Sequence, residues 1–382
     1  CIRDRHYTPV SVHPTETRTM NKLTIREIEA TPLMVPFKRP PVARIGAPES
    51  WLFILIDVVT EEGIVGRSYV QPYAPFAHRN IIPAIEDLAT LLKGSRVAPV
   101  DQFNLLATML QRVIGSGVMR IALSGLDMAL WDATAKAADL PLAELLGSSL
   151  APLPSYNSNG LWLIPHDQLA EEACELLEEG GFRAVKARAG RGTLAEDIKA
   201  LEIIRGAIGD DVELMVDFNQ GMPYGEALQR CVAMDDLGLL WFEEPVMHDD
   251  FRSCSELRSK LRTPIQIGEN FYGPRDVYNA IDQRACDYIM PDMKRIGGVT
   301  GWLQSAPIAA AAGIQVSSHL YPEASAHMLR VSQTAHYAEW VDWANPILEE
   351  PWQVDGGYLH MPDRPGLGIS WNQEAIDKYR IR

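Results

Sequence analysis

Glu213-Leu-Met-Val-Asp217-Phe-Asn219-Gln220 is an apolar run that ends in an acid. A buried parallel strand that brings a carboxylate to one edge of its sheet has this form. The form recurs in Leu239-Leu-Trp-Phe-Glu243-Glu244-Pro245 and in Pro264-Ile-Gln-Ile-Gly-Glu269-Asn270. Asp217, Glu243 and Glu269 are spaced 26 residues apart, which fits one strand, one covering helix and two short loops. Three consecutive βα units then present three carboxylates at one sheet end, a nest for a cation.

Working outward, strands are expected at 153–159, 184–189, 214–219, 240–245, 265–269, 288–292, 314–319 and 337–341, with helical segments between them. Eight strands without hairpin turns argue for a closed (β/α) barrel of the α/β class. A doubly wound open sheet is the alternative, but no Gly-rich dinucleotide fingerprint follows any strand. Ahead of the barrel, strands at 23–37, 51–59 and 64–70 form an antiparallel meander. Helices follow at 81–93, 102–112 and 119–137. In the last of these, Asp127 and Asp132 are read as lying on polar faces. The connector Lys38–Ser50 reads equally as a mobile binding loop or as a surface connector. The expected divisions are an extension over 1–20 without a role in the fold, a capping domain over 21–148 and a barrel over 149–348. A C-terminal segment over 349–382 is expected to return to the capping domain.

A formal charge of −15 over 382 residues excludes nucleic acid or an anionic membrane as the main partner. No apolar run is long enough to span a bilayer. Five cysteines at unrelated spacings imply reduced thiols and a cytoplasmic location.

In a parallel barrel the strand C-termini share one face, and reactive groups gather there. Reading off those ends gives Lys186, Arg188, Asp217, Asn219, Glu243, Glu269, Asp292, His319 and Glu339. An all-oxygen acid set selects a hard cation, and with few carboxylates that cation is Mg²⁺. The competing reading is three acids salt-bridged to Arg and Lys. Lys186 and Arg188 lie two apart and face one side, as a cationic wall for an anionic substrate with one of them serving as a base, or as partners of the acids. Asp292 can orient the His319 imidazole, and Glu339 can donate a proton if burial keeps it protonated. Ser158 and Asn219 in the barrel, with Arg44 and Tyr73 in the loops before it, are the candidate substrate contacts. With His78, Arg44 and Tyr73 favour a polyhydroxylated or diacid ligand over an aromatic one.

Several stretches together resemble the enolase superfamily, and within it the mandelate racemase subgroup, over nearly all of Met20–Arg382. They include Ser124-Gly-Leu-Asp-Met-Ala-Leu-Trp-Asp132, Phe182-Arg-Ala-Val-Lys186-Ala-Arg188, Met290-Pro-Asp292 followed by Ile296-Gly-Gly-Val, and Ser317-Ser-His319-Leu. The three acid-bearing strands and Pro365-Gly-Leu-Gly368 complete the match. The resemblance implies a (β/α)7β barrel capped by an α+β domain built from both chain ends. It further implies Mg²⁺ on Asp217, Glu243 and Glu269, a His319–Asp292 dyad, Glu339 as electrophilic donor, loop-set specificity and a homo-oligomer.

One position departs from the pattern. The resemblance leads one to expect a second lysine where Arg188 stands, and a guanidinium stays protonated under nearly all conditions. Racemisation needs a base on each face of the substrate carbon, whereas β-elimination of water runs with His319 alone. The expected activity is therefore dehydration of a sugar acid to a 2-keto-3-deoxy acid. A 2-hydroxy-acid racemase or epimerase is the second reading, and a non-catalytic paralogue that binds metal and acid is the third.

Overall fold

The computed structural model describes residues 22–44, 46–109, 111–113 and 115–382. The expectation for 1–20 lies outside the described residues. The chain builds a three-stranded antiparallel sheet with helices, laid over a (β/α)7β barrel.

In the first layer, β1 (Ile25–Pro36), β2 (Ser50–Thr60) and β3 (Val65–Val70) pair in sequence order. Their inner face packs on α1 (His78–Leu92) and α3 (Val118–Ala137), while α2 (Pro99–Met109) lies against α3. Asp127 and Asp132 correct the sequence reading, because both are buried rather than on polar faces. Asp127 accepts from Thr300 N (2.8 Å) and Thr300 Oγ1 (2.6 Å), which ties α3 to the first turn of the barrel helix Gly298–Ala311. Gly298 is required at this contact. Its φ is 64°, and a Cβ there would lie 2.6 Å from Asp127 Oδ2. Asp132 accepts from Arg67 N and Leu367 N and pairs with Lys136, joining β3, α3 and the C-terminal segment.

The barrel strands are β4 (Leu153–Asn157), β5 (Ala184–Arg188), β6 (Glu213–Asp217), β7 (Phe242–Glu243), β8 (Ile265–Ile267), β9 (Tyr288–Ile289), β10 (Gln315–Val316) and β11 (Ala338–Trp340). They run parallel in sequence order from β4 to β10, and β11 returns beside β4. Closure between β10 and β11 comes from Val316 N to Thr334 O, His336 N to Val316 O and Ser318 N to Tyr337 O. All eight expected strands are present, mostly shorter than the sequence suggests. The apolar runs continue past the last ladder bond into the loops that carry polar groups at the mouth.

The end of the chain divides its contacts. The hairpin β12 (Gln353–Asp355) and β13 (Tyr358–His360) adds antiparallel to β4. Beyond it, Trp371 Nε1 donates to Asp57 Oδ1 and Arg380 bridges Leu33, so this part returns to the first sheet.

Candidate active site

Strand register places the acids. Arg188 is the partner of Asp217 across β5 and β6, and Asp217 is the partner of Glu243 across β6 and β7. The three therefore stand one strand spacing apart, roughly 4.8 Å, at the same level of the barrel. Glu269 lies two residues past β8, and Asp292 and His319 form a parallel bridge between the next two strand ends. The side chains converge on one cavity of ≈ 300 Å³, lined by Lys186, Arg188, Asp217, Glu269, His319 and Glu339 among others. Glu243 is fully buried beneath them.

Lys186 Nζ reaches Glu243 Oε1 at 2.6 Å, Glu339 Oε1 at 2.8 Å and Asp217 Oδ2 at 3.8 Å. Burial pulls the lysine pKa down, but Glu243 and Glu339 outweigh it and hold the ammonium charged. Arg188 stacks its guanidinium 4.1 Å from the Trp162 ring centre, donates to Ser158 Oγ (3.1 Å) and lies 3.4 Å from Asp217 Oδ2. His319 Nδ1 is 2.7 Å from Asp292 Oδ2, and Nε2 is 3.2 Å from Glu269 Oε2. Burial opposes charge on this imidazole, yet Glu269 and Asp292 push its pKa up to about 10. Asp292 resists burial and is held down at about 2, chiefly by Lys294 and His319.

Glu339 is fully buried beside Lys186. Burial does push its pKa up, but Lys186, His319 and the Leu320 N–H (2.8 Å) bring it down to about 2.

Among the described residues, no group of three or more His, Cys, Asp or Glu side chains is arranged to hold a metal ion as they stand. Lys186 and His319 occupy the acids' oxygens instead. The donor set nevertheless fits a hard divalent cation. Glu243 is forced up to about 8 by burial and by the charges of Asp217, Glu339 and Glu269, despite Lys186 against it. Oxygen ligands that repel one another in a dry site are stabilised by a dipositive ion.

Among the candidate substrate contacts, Asn219 and Tyr73 line the cavity, and Ser158 orients Arg188. Asn219 adopts φ 46° and donates twice to Asp217. Arg44 does not line the cavity. Its guanidinium is turned away onto Glu226 (2.8 Å), because the loop needs a tie to the helix Tyr224–Met234. His78 is half-buried and its ring meets Pro75 O. From the connector, Pro41, Ala43, Gly46 and Pro48 line the cavity, and Leu163 N to Val42 O (2.8 Å) and Arg39 on Glu175 and Glu179 tie it to the barrel.

Sequence reasoning missed Lys294, Arg295, Asn270 and the tryptophans that stand with Tyr73. Lys294 is fully buried, 2.6 Å from Asp292 Oδ2 and 4.4 Å from the Tyr73 ring centre. Arg295 donates to Glu269 O (3.0 Å) and stacks on the same ring. Two consecutive basic residues, separated from the strand-end Asp292 only by Met293, were the available signal. Trp51, Trp162 and Trp343, which form an aromatic wall with Tyr73, left no signal, since they come from separate loops and strands.

Comparison with known proteins gives matches over most of the chain. Residues 27–147 match the family described as mandelate racemase / muconate lactonizing enzyme, N-terminal domain, and 168–375 match the family described as enolase C-terminal domain-like. The L-talarate/galactarate dehydratase of Salmonella typhimurium is 34% identical over 326 residues, covering 84% of this chain and 81% of that one. A magnesium-bound enolase from the alpha proteobacterium bal199 superposes with TM-score 0.92 at 46% identity, covering 94% of this chain and all of that one. An enolase from Bradyrhizobium in complex with magnesium and mandelic acid gives TM-score 0.91 at 39% identity, covering 95% of this chain and all of that one.

Proposed function

The chain belongs to the enolase superfamily, in the mandelate racemase / muconate lactonizing enzyme branch, and from that premise we propose that it dehydrates a sugar acid to a 2-keto-3-deoxy acid. The observation that carries the reading is the convergence of Lys186, Arg188, Asp217, Glu269 and His319 on one small cavity, with Glu243 bonded to Lys186 and Asp292 to His319 from behind. The name of the dehydratase relative supports it as well.

In this reading Mg²⁺ is held by Asp217, Glu243 and Glu269, and when bound it stabilises negative charge on the substrate carboxylate. Lys186 and Arg188 add fixed positive charge beside the same carboxylate. Asp292 fixes Nδ1 of the imidazole, so Nε2 faces the substrate. Glu269, the main group that keeps the imidazole charged, would be neutralised as a ligand of the cation, and the neutral form of His319 would then take the C2 proton, the C–H electrons passing into an enediolate. The enediolate collapses with loss of the 3-hydroxyl, to which the imidazolium returns the proton, so water leaves. The resulting enol takes a proton at C3 to give the keto acid. Glu339 holds Lys186 in place in this scheme.

The racemase reading draws support from the Bradyrhizobium relative's mandelic acid, but Arg188 supplies no second base. The experiment is a screen of aldonic and aldaric acids with Mg²⁺, read as keto acid formed and as deuterium taken up from D2O. Keto acid that disappears on chelation, and falls by about 10²–10⁴-fold in His319→Asn, is expected. Deuterium entering both C2 epimers without keto acid refutes dehydration, and an unaffected His319→Asn refutes the role of the imidazole.

The division at 148 and 348 is proposed for the two domains. A homo-oligomer is also proposed, supported by the exposed apolar side chains of Leu105, Met109 and Val113. A cytoplasmic location is proposed from Cys231, Cys254 and Cys286, which are buried and unpaired. Among the described residues no helix is long and apolar enough to cross a membrane.

A further inference from the structure

The cavity has two unlike sides. Its charged groups all rise from the barrel, whereas the capping side contributes Pro41, Ala43, Gly46, Pro48, Trp51 and Tyr73. Trp343 continues that side, with its ring centre 5.4 Å from that of Trp51, and Trp51 in turn lies 5.2 Å from Tyr73. The indole N–H groups of Trp51 and Trp162 are buried in protein, so their rings meet the cavity as carbon.

The loop over this wall is rich in cations, and each faces elsewhere. Lys38 and Arg39 are held by Glu179 at 2.7 and 2.8 Å, and Arg44 is held by Glu226 at 2.8 Å. Arg295, on the barrel side, is engaged by Glu269 and covered by Tyr73. Among the described residues, then, no cation on the capping side is aimed into the cavity.

We propose that this wall selects a hydroxylated monocarboxylic acid whose end remote from the reacting carboxylate is uncharged and apolar, a terminal-deoxy aldonic acid, and turns away aldaric diacids. The proposal rests on the dehydratase reading of the same site. A second carboxylate set against these rings loses its hydration without gaining a counter-charge, which disfavours diacids by about 100-fold or more. A terminal hydroxymethyl loses a smaller amount through its unpaired hydroxyl, about tenfold against a methyl. Aromatic faces favour the C–H groups of the chain in either case.

The test uses the Mg²⁺-loaded full chain and matched sets of 6-deoxyhexonic, hexonic and hexaric acids in each available configuration. Expected is the rank deoxy above hydroxymethyl above diacid in kcat/KM for keto acid formation. The Trp343→Arg variant, which adds a cation to the wall, is expected to narrow the gap between monoacid and diacid at least tenfold. A diacid turned over within tenfold of the best monoacid overturns the wall proposal and leaves dehydration standing. The same rank seen in C2 deuterium exchange without keto acid overturns dehydration and leaves the wall proposal standing. If no acid turns over, the rank is read from the dissociation constants of the same acids by calorimetry, and equal binding of monoacid and diacid overturns the proposal.

Discussion

Asp292 and Lys294 form an ion pair with both side chains fully out of solvent, and the same carboxylate oxygen holds His319. Removing one partner of such a pair leaves a bare charge in a dry site, at a cost of about 3–5 kcal/mol. Asp292→Asn is therefore expected to destabilise by about 3–5 kcal/mol, since the Lys294 ammonium has no other carboxylate within bonding distance among the described residues. Lys294→Met should cost less, because Asp292 keeps the Lys294 backbone N–H (2.7 Å) and His319 (2.7 Å). In the double variant the methionine packs against Tyr73 and Tyr321, where the lysine stem lay, and no charge is left unpaired. The coupling energy should reach about 2–3 kcal/mol, the upper range for contacting groups. Activity should not follow stability. The double variant still lacks the carboxylate that orients the imidazole, so kcat stays about 10²–10⁴-fold down. Equilibrium urea unfolding followed by tryptophan fluorescence, beside kcat on the best substrate, measures both. A double variant as unstable as the sum of the singles, or one that regains activity together with stability, refutes the argument.

Three further outcomes are expected. His327 is fully buried, its Nδ1 accepts from Ala143 N (3.1 Å), and burial lowers its pKa to about 4 from the usual 6.5. Between those values the unfolded chain binds a proton that the folded chain does not. Stability should fall by about 3 kcal/mol as pH drops from 6.5 to 4 on this account, and His327→Gln should lose that component in a pH series of urea midpoints. Arg188→Lys restores a side chain able to lose its proton, so C2 deuterium exchange from the second face should appear by NMR; no new exchange would break the link drawn between Arg188 and dehydration. Arg44→Ala frees the binding loop from Glu226 at a half-exposed ion pair worth up to about 1 kcal/mol, so KM should rise up to about fivefold with kcat held. A large fall in kcat would instead put Arg44 at the chemistry.

The sequence by itself determined the barrel and the level at which its polar groups emerge. Apolar runs ending in Asp217, Glu243 and Glu269 at equal spacing fix strand direction, because a parallel strand buried on both faces must be apolar until it leaves the sheet. Strand-end position likewise made His319 and Asp292 legible. Only the tertiary structure decided what each group meets. Lys186 extends to Glu243 and Glu339 on other strands, a long-range pairing that draws the Glu339 pKa down against burial. Asp127 and Asp132 look like solvent-facing acids in a helical pattern, yet they are buried, because backbone N–H groups from distant segments arrive at them. Arg44 was close to the mouth along the chain but is turned outward, and the aromatic wall was assembled from residues as far apart as Trp51 and Trp343. Local pattern records which way a strand runs and where it stops. Charge pairing and desolvation depend on neighbours hundreds of residues away, and those neighbours exist only once the chain has folded.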